Sequence, residues 1–168
     1  MTTPGPAVTH VLETSLYVAD LERSQQFYQR LFGFECFLRD ARMCALGVAE
    51  GQVLLLFVHG GSTEPSHTST GMVPAHDGHG QLHLCFAIAE ADLAAWETRL
   101  GECDVPIESR VQWPRGGISL YFRDPDGHSL ELATPGLWPN YPKLTTSEPA
   151  PRIPAPPARS SVPETSAG

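Results

Sequence analysis

The 168-residue chain carries 11 basic and 19 acidic side chains, a formal net charge of −8, and is 41% hydrophobic. That balance argues against a nucleic-acid or anionic-membrane partner, since both need a basic face. No apolar run approaches the ~20 residues of a membrane span, and residues 1–8 lack a basic stretch leading into an apolar one, so neither a spanning helix nor a secretion signal is expected. Cys36, Cys44, Cys85 and Cys103 are scattered without a CxxC pair and read as reduced thiols of a cytoplasmic protein.

The first element in chain order is an alternating strand over residues 10–18. Asp20 then caps a helix whose apolar Leu21, Phe27, Tyr28, Leu31 and Phe32 recur at helical spacing, and Gly33 is placed to end it. Strands are expected over 35–38, 43–48 and 53–58, followed by a long polar loop. The same order then repeats. A strand covers 82–88, Asp92 caps a helix bearing Leu93, Trp96 and Leu100 that Gly101 ends, and strands follow over 106–111, 118–123 and 128–133. A β-α-β-β-β unit written twice, at a period of roughly 70 residues, is too long for a solenoid and reads as a duplicated α+β domain. The expected divisions are a first module over 8–60, an intermodule loop over 61–80 and a second module over 81–138. Half of the prolines fall in residues 139–168, and the segment 143–168 reads as a disordered, Pro-rich tail.

Alternation sorts each strand into a greasy and a polar row. Leu12, Thr14, Leu16 and Val18 oppose Glu13, Ser15 and Tyr17, and Leu82, Leu84, Phe86 and Ile88 oppose His83, Cys85 and Ala87. Ile118, Leu120 and Phe122 oppose Ser119 and Tyr121, while Leu130 and Leu132 oppose Ser129, Glu131 and Ala133. Two curved sheets with polar rows inward would close around a hollow. Glu13 and His83 then hold matching positions ahead of their helices, with Glu131 on the last strand. One imidazole and two carboxylates suit a divalent cation with open positions. Leu55 stands where Glu131 stands in the other half, so the expected site has three ligands on one side only. The segment His76-Asp-Gly-His-Gly80 reads as a lid or linker, Cys85 as packing in the pocket wall, and Trp138 and Tyr141 as cover for an edge or a subunit interface.

Two stretches carry a family resemblance. They are Leu16-Tyr-Val-Ala-Asp-Leu-Glu-Arg-Ser-Gln-Gln-Phe-Tyr28 with Leu31-Phe-Gly-Phe34, and Tyr121-Phe-Arg-Asp-Pro-Asp-Gly-His-Ser-Leu-Glu131. Over residues 8–135 the chain resembles the vicinal oxygen chelate superfamily: glyoxalase I, extradiol dioxygenases, fosfomycin-resistance transferases, methylmalonyl-CoA epimerase and bleomycin-binding proteins. The resemblance implies an α+β fold of two βαβββ modules pairing into a cupped, incomplete mixed β-barrel with flanking helices. It also implies a homodimer, and a divalent ion (Fe, Mn, Ni, Zn or Mg) on the positions of Glu13, His83 and Glu131. The family's first ligand is usually His, sometimes Gln. Glu at residue 13 makes the set harder and argues against a standard extradiol dioxygenase. No Lys/Arg cluster for a phosphonate follows Glu131, although Tyr121 matches an anion-contacting tyrosine of the fosfomycin branch.

The expected function is thus a metal-dependent enzyme of the glyoxalase/dioxygenase type acting on a small oxygen-chelating substrate. Glu13 or Glu131 would also serve as catalytic base, and Tyr121, Ser119 and Arg115 would contact substrate. The alternative is a metal-free binding or resistance protein using the same hollow as a ligand trap. An accessory domain that recruits a partner through the tail has no sharp support.

Overall fold

Strand β1 (Glu13–Val18) begins later than the alternating pattern, and Val11 and Leu12 ahead of it are largely exposed. In α1 (Leu21–Phe32), Asp20 is extended and its carboxylate accepts from the Arg23 amide, as the sequence predicts. Gly33, at φ 75°, closes the helix in the left-handed region with its amide on the Gln29 carbonyl. Leu21, Ser24, Phe27, Tyr28 and Leu31 form its buried stripe. Strands β2 (Glu35–Arg39), β3 (Met43–Ala49) and β4 (Gln52–Val58) follow, and then a short hairpin of β5 (Ser66–His67) and β6 (Met72–Val73) that the sequence did not announce. The second half holds β7 (His83–Ala87), α2 (Leu93–Glu102), β8 (Ser109–Gln112), β9 (Ile118–Arg123) and β10 (Ser129–Ala133). This computed structural model describes residues 5–141, and the expected tail over 143–168 lies outside the described residues.

Both ends of α2 differ from expectation. Asp92 is already helical, at φ −91° and ψ −2°, in a single 3-10 turn (Glu90–Asp92), and its side chain makes no capping bond. Gly101 is passed over. The chain reverses at Asp104, whose φ of 54° suits a residue type that tolerates left-handed backbone, and the Val105 amide reaches back to the Leu100 carbonyl.

Besides the β5-β6 hairpin, the strands make two four-stranded sheets, ordered β1-β4-β3-β2 and β7-β10-β9-β8, and among the described residues they close no barrel. In each, the first strand runs parallel to the last and the other pairs are antiparallel. The registers match. Glu13 pairs with Val53 and Ser15 with Leu55, as His83 pairs with Ser129 and Cys85 with Glu131. Glu13 and His83 are therefore equivalent, and Leu55 does stand in the place of Glu131. The greasy rows of both sheets join one core: Leu16, Leu54 and Leu56 from the first, Leu120, Phe122 and Leu130 from the second, each at most 2% exposed. Burying each such side chain contributes about 1.5–3 kcal/mol. Phe32 at the end of α1 bridges the halves, its ring 4.9 Å from Phe86, 5.6 Å from Trp96 and 6.4 Å from Phe122.

A polar seam between the halves is built from the Asp-Pro-Asp-Gly-His stretch. Gly127 takes φ 81°, which the tight turn requires. The Tyr28 hydroxyl donates to Asp124 at 2.9 Å. His128 is buried, accepts from the Leu82 amide on Nδ1 at 3.0 Å, and so presents an Nε2–H to the Tyr17 carbonyl at 2.8 Å. The carboxylate of Asp126 accepts from the Ala19 amide (2.8 Å), the Ser24 hydroxyl (2.7 Å) and Arg23 (3.1 Å) at the start of α1. Burial alone would raise its pKa, but these donors together hold it below the ordinary aspartate value. A lowered native pKa means the stabilisation is complete above the unfolded carboxylate range and is lost as pH falls through that range toward the native value. Asp126→Asn is expected to lower stability by about 1.5–3 kcal/mol at pH 7. In urea unfolding, that gap between variant and wild type narrows on acidification, and a gap independent of pH would contradict this reading.

Among the described residues, no helix is long and apolar enough to cross a membrane.

Candidate functional site

The two polar rows have different fates. In the first sheet the Tyr17 ring stacks on Phe57 with centroids 5.9 Å apart, and its hydroxyl bonds His76 Nδ1 at 2.7 Å. Gly78 lies so close against that ring that a Cβ there would collide with it. The segment read as a lid or linker therefore covers this end of the first row. The register equivalents of Tyr17 and Phe57 in the second sheet are Ala87 and Ala133, which leave that row open.

Glu131 sits in the open row. Its register partners are Cys85 on β7 and Tyr121 on β9, and its side chain is 4% exposed. Ser119 donates its hydroxyl proton to Oε1, while Trp113 Nε1–H donates to Ser119 Oγ at 2.8 Å. Oε2 faces His83 Nε2 at 3.2 Å, and the imidazole stacks near Tyr121 with ring centroids 6.2 Å apart. Desolvation first, and the negative Glu131 second, raise the Tyr121 phenol above its usual value, so it remains a donor at neutral pH. The same two causes push the Cys85 thiol up to about 12, which keeps it a thiol rather than a nucleophilic thiolate.

The His83 contacts test whether this donor set suits a cation. Nδ1 lies 3.1 Å from the Ser129 carbonyl, which can only accept, so Nδ1 carries the proton. In the neutral ring Nε2 is then a bare lone pair aimed at a carboxylate oxygen. Two acceptors 3.2 Å apart need a proton or a cation between them. A divalent ion with bonds of about 2.1 Å holds neighbouring N and O ligands about 3.0–3.4 Å apart, which brackets the observed separation. The backbone carbonyl behind Nδ1 and the Trp113–Ser119 relay behind Oε1 orient both groups, as supports behind metal ligands do. The pair fits a divalent ion.

Residues 7–132 match the family model described as the glyoxalase/bleomycin resistance protein/dioxygenase superfamily. The chain belongs to this superfamily. It is 30% identical over 121 residues to a glutathione transferase FosA of Serratia marcescens, an alignment spanning 70% of this chain and 75% of that one. A metallothiol transferase FosB of Shouchella clausii is 46% identical over 54 residues, and the chain spans only 37% of that protein's length. Among solved structures, a lactoylglutathione lyase from Agrobacterium tumefaciens superposes with a TM-score of 0.72 at 33% identity, covering 79% of this chain and 98% of that one.

In this superfamily member the sequence-predicted residues divide. His83, Glu131 and Tyr121 are brought together, whereas Glu13 is not. Among the described residues no three His, Cys, Asp or Glu side chains gather as a cation would need, so the meeting of Glu13, His83 and Glu131 within one chain is not observed. The reason is topological. β1 and β7 are edge strands of separate sheets with no ladder between them, and a cleft lined by Leu12, Glu13 and Thr14 on one side and Leu84, Cys85 and Phe86 on the other lies between. Ser119 is fully buried and gives its proton to Glu131, so it orients the carboxylate. Arg115 is exposed on the turn before β9 and makes no contact with Glu131. Trp113 was missed as a support. Its signal lay in the β8–β9 pairing, which sets Val111 opposite Ser119 and carries the indole to the same row. Tyr141 caps the ends of β7 and β10, its hydroxyl 3.2 Å from the Ile88 carbonyl, while Trp138 stays exposed.

Proposed function

We propose that this superfamily member is a metal-dependent enzyme in which His83 and Glu131 hold one divalent cation and Glu13 of a second copy completes the set. The observation that carries this reading is the approach of His83 Nε2 to Glu131 Oε2 at 3.2 Å, each group held by its own supports. A second copy is favoured by the apolar strip beside Glu13, where Val8, Val11 and Leu12 are 89%, 71% and 59% exposed. Association buries such a strip. Two open sheet edges, β1 and β7, flank the cleft it would fill.

When bound, the ion supplies a Lewis acid toward a substrate bearing neighbouring oxygens. Glu131, fixed by Ser119, stays a ligand. Glu13, exposed at the start of its strand, is the carboxylate free to accept a proton. The Tyr121 phenol, kept protonated by its surroundings, would donate a hydrogen bond to a substrate oxygen. Arg123, on the same row, is committed to Glu108 at 2.9 Å and the Gly127 carbonyl at 3.0 Å, so a densely anionic substrate finds no ready partner there. Lyase, isomerase or thiol-transfer chemistry on a neutral or weakly charged molecule follows. It accords with relatives named as thiol transferases and a lactoylglutathione lyase.

The test strips the full chain with a chelator, reloads it with Mn, Ni, Zn or Fe(II), and assays methylglyoxal with glutathione, thiol addition to an epoxide, and oxygen uptake with catechols. Turnover is expected only with a divalent ion, and is expected to fall by about 100-fold or more in Glu131→Gln. Equal turnover without metal, or tight metal-free binding of an aromatic ligand with no turnover, would contradict it and favour the ligand trap.

A further inference from the structure

The core-facing row of the first sheet brings together two thiols that the candidate site does not use. The Sγ atoms of Cys36 on β2 and Cys44 on β3 lie 3.5 Å apart. A bulge at Phe37 causes the approach. The pairing steps from Cys36 with Leu46 to Leu38 with Ala45 and Arg39 with Cys44, and the extra residue leans Cys36 diagonally toward Cys44. The Cys36 thiol points its proton at the Leu38 carbonyl, so the proton between the two sulfurs is that of Cys44. Cys36 is half-buried and Cys44 is buried. Burial, with the neighbouring Cys36 sulfur, pushes the Cys44 thiol up to about 12, which leaves Cys36 as the point of entry for a reagent. The remaining cysteines lack such a pairing: Cys85 stands beside Glu131, and Cys103 is buried at the end of α2.

We propose that Cys36 and Cys44 form an oxidisable pair that a hydroperoxide converts to a disulfide, stapling the edge strand β2 to β3. The Cys36 thiolate attacks one peroxide oxygen and the O–O bond breaks. The departing oxygen takes a proton and leaves as water or an alcohol, and Cys36 becomes a sulfenic acid. The Cys44 sulfur then attacks the Cys36 sulfur, the S–O bond breaks, and hydroxide leaves with the Cys44 proton as water. The two sulfurs together give up two electrons to the peroxide. A disulfide of about 2.05 Å is within reach of side-chain rotation from sulfurs that start 3.5 Å apart.

The test treats the native full chain with hydrogen peroxide and maps thiols by mass spectrometry. Trypsin cuts at Arg39 and Arg42, which separate the two cysteines into different peptides. A link between those peptides, lost on adding dithiothreitol, is expected in the wild type. In Cys44→Ala, Cys36 is expected to accumulate as sulfenic acid, and in Cys36→Ser, Cys44 stays a thiol. The proposal is overturned if Cys36 resists peroxide in the native chain. It is also overturned if Cys36 passes to sulfinic acid as fast in the wild type as in Cys44→Ala, since Cys44 would then resolve nothing.

Discussion

Chains carrying Glu13→Ala, co-expressed with chains carrying Glu131→Ala, are expected to recover activity that neither variant shows alone. In a two-fold dimer whose cation site takes His83 and Glu131 from one chain and Glu13 from the other, a mixed dimer holds one site with both lesions and one with none. Random pairing makes half of the dimers mixed, so about a quarter of wild-type activity returns. If Glu13 served the site of its own chain, every site in the mixed dimer would carry one lesion, and nothing would return. Glu13 is exposed at a strand end, so its removal costs the fold about 0.5 kcal/mol or less. Glu131 is 3% exposed and accepts from Ser119, so Glu131→Gln, which keeps its shape, is the companion control. The outcome separates an intermolecular site from an intramolecular one without a structure of either.

The sequence carried the duplication because each copy needed the same physics: an alternating strand, an amphipathic helix, and three strands under it. Asp20 and Gly33 were readable as helix ends because a capping carboxylate and a left-handed glycine act locally. Asp92 looked the same in sequence, but its backbone entered the helix through a 3-10 turn, which local pattern does not specify. The row assignment of His83, Ser119, Tyr121 and Glu131 followed from the two-residue period, and the sheet register brings these four together. What the period cannot give is the distance between edges of different sheets, so Glu13 was assigned to a meeting point its own chain does not reach. The seam residues Asp126 and His128 were legible as a tight turn only. Their bonds to Ala19 and Tyr17 join residues more than a hundred positions apart, beyond any local signal.

The same register explains why only one hollow is equipped. Leu55 replaces the carboxylate, and Tyr17 and Phe57 fill space that Ala87 and Ala133 leave empty. A duplicated scaffold thus keeps one polar row covered by the segment holding His76 and Gly78, and leaves the other open around Glu131.

Calorimetric titration of the chelator-treated full chain with Mn or Zn tests the central claim most directly. His83 Nε2 and Glu131 Oε2 lie 3.2 Å apart, and a metal takes both as ligands only when neither carries a proton, so binding is expected to weaken as pH falls. One ion per chain is predicted for the wild type. Loss of about 100-fold or more in affinity is predicted for both His83→Ala and Glu131→Gln. Unchanged affinity and stoichiometry in those two variants would contradict the account.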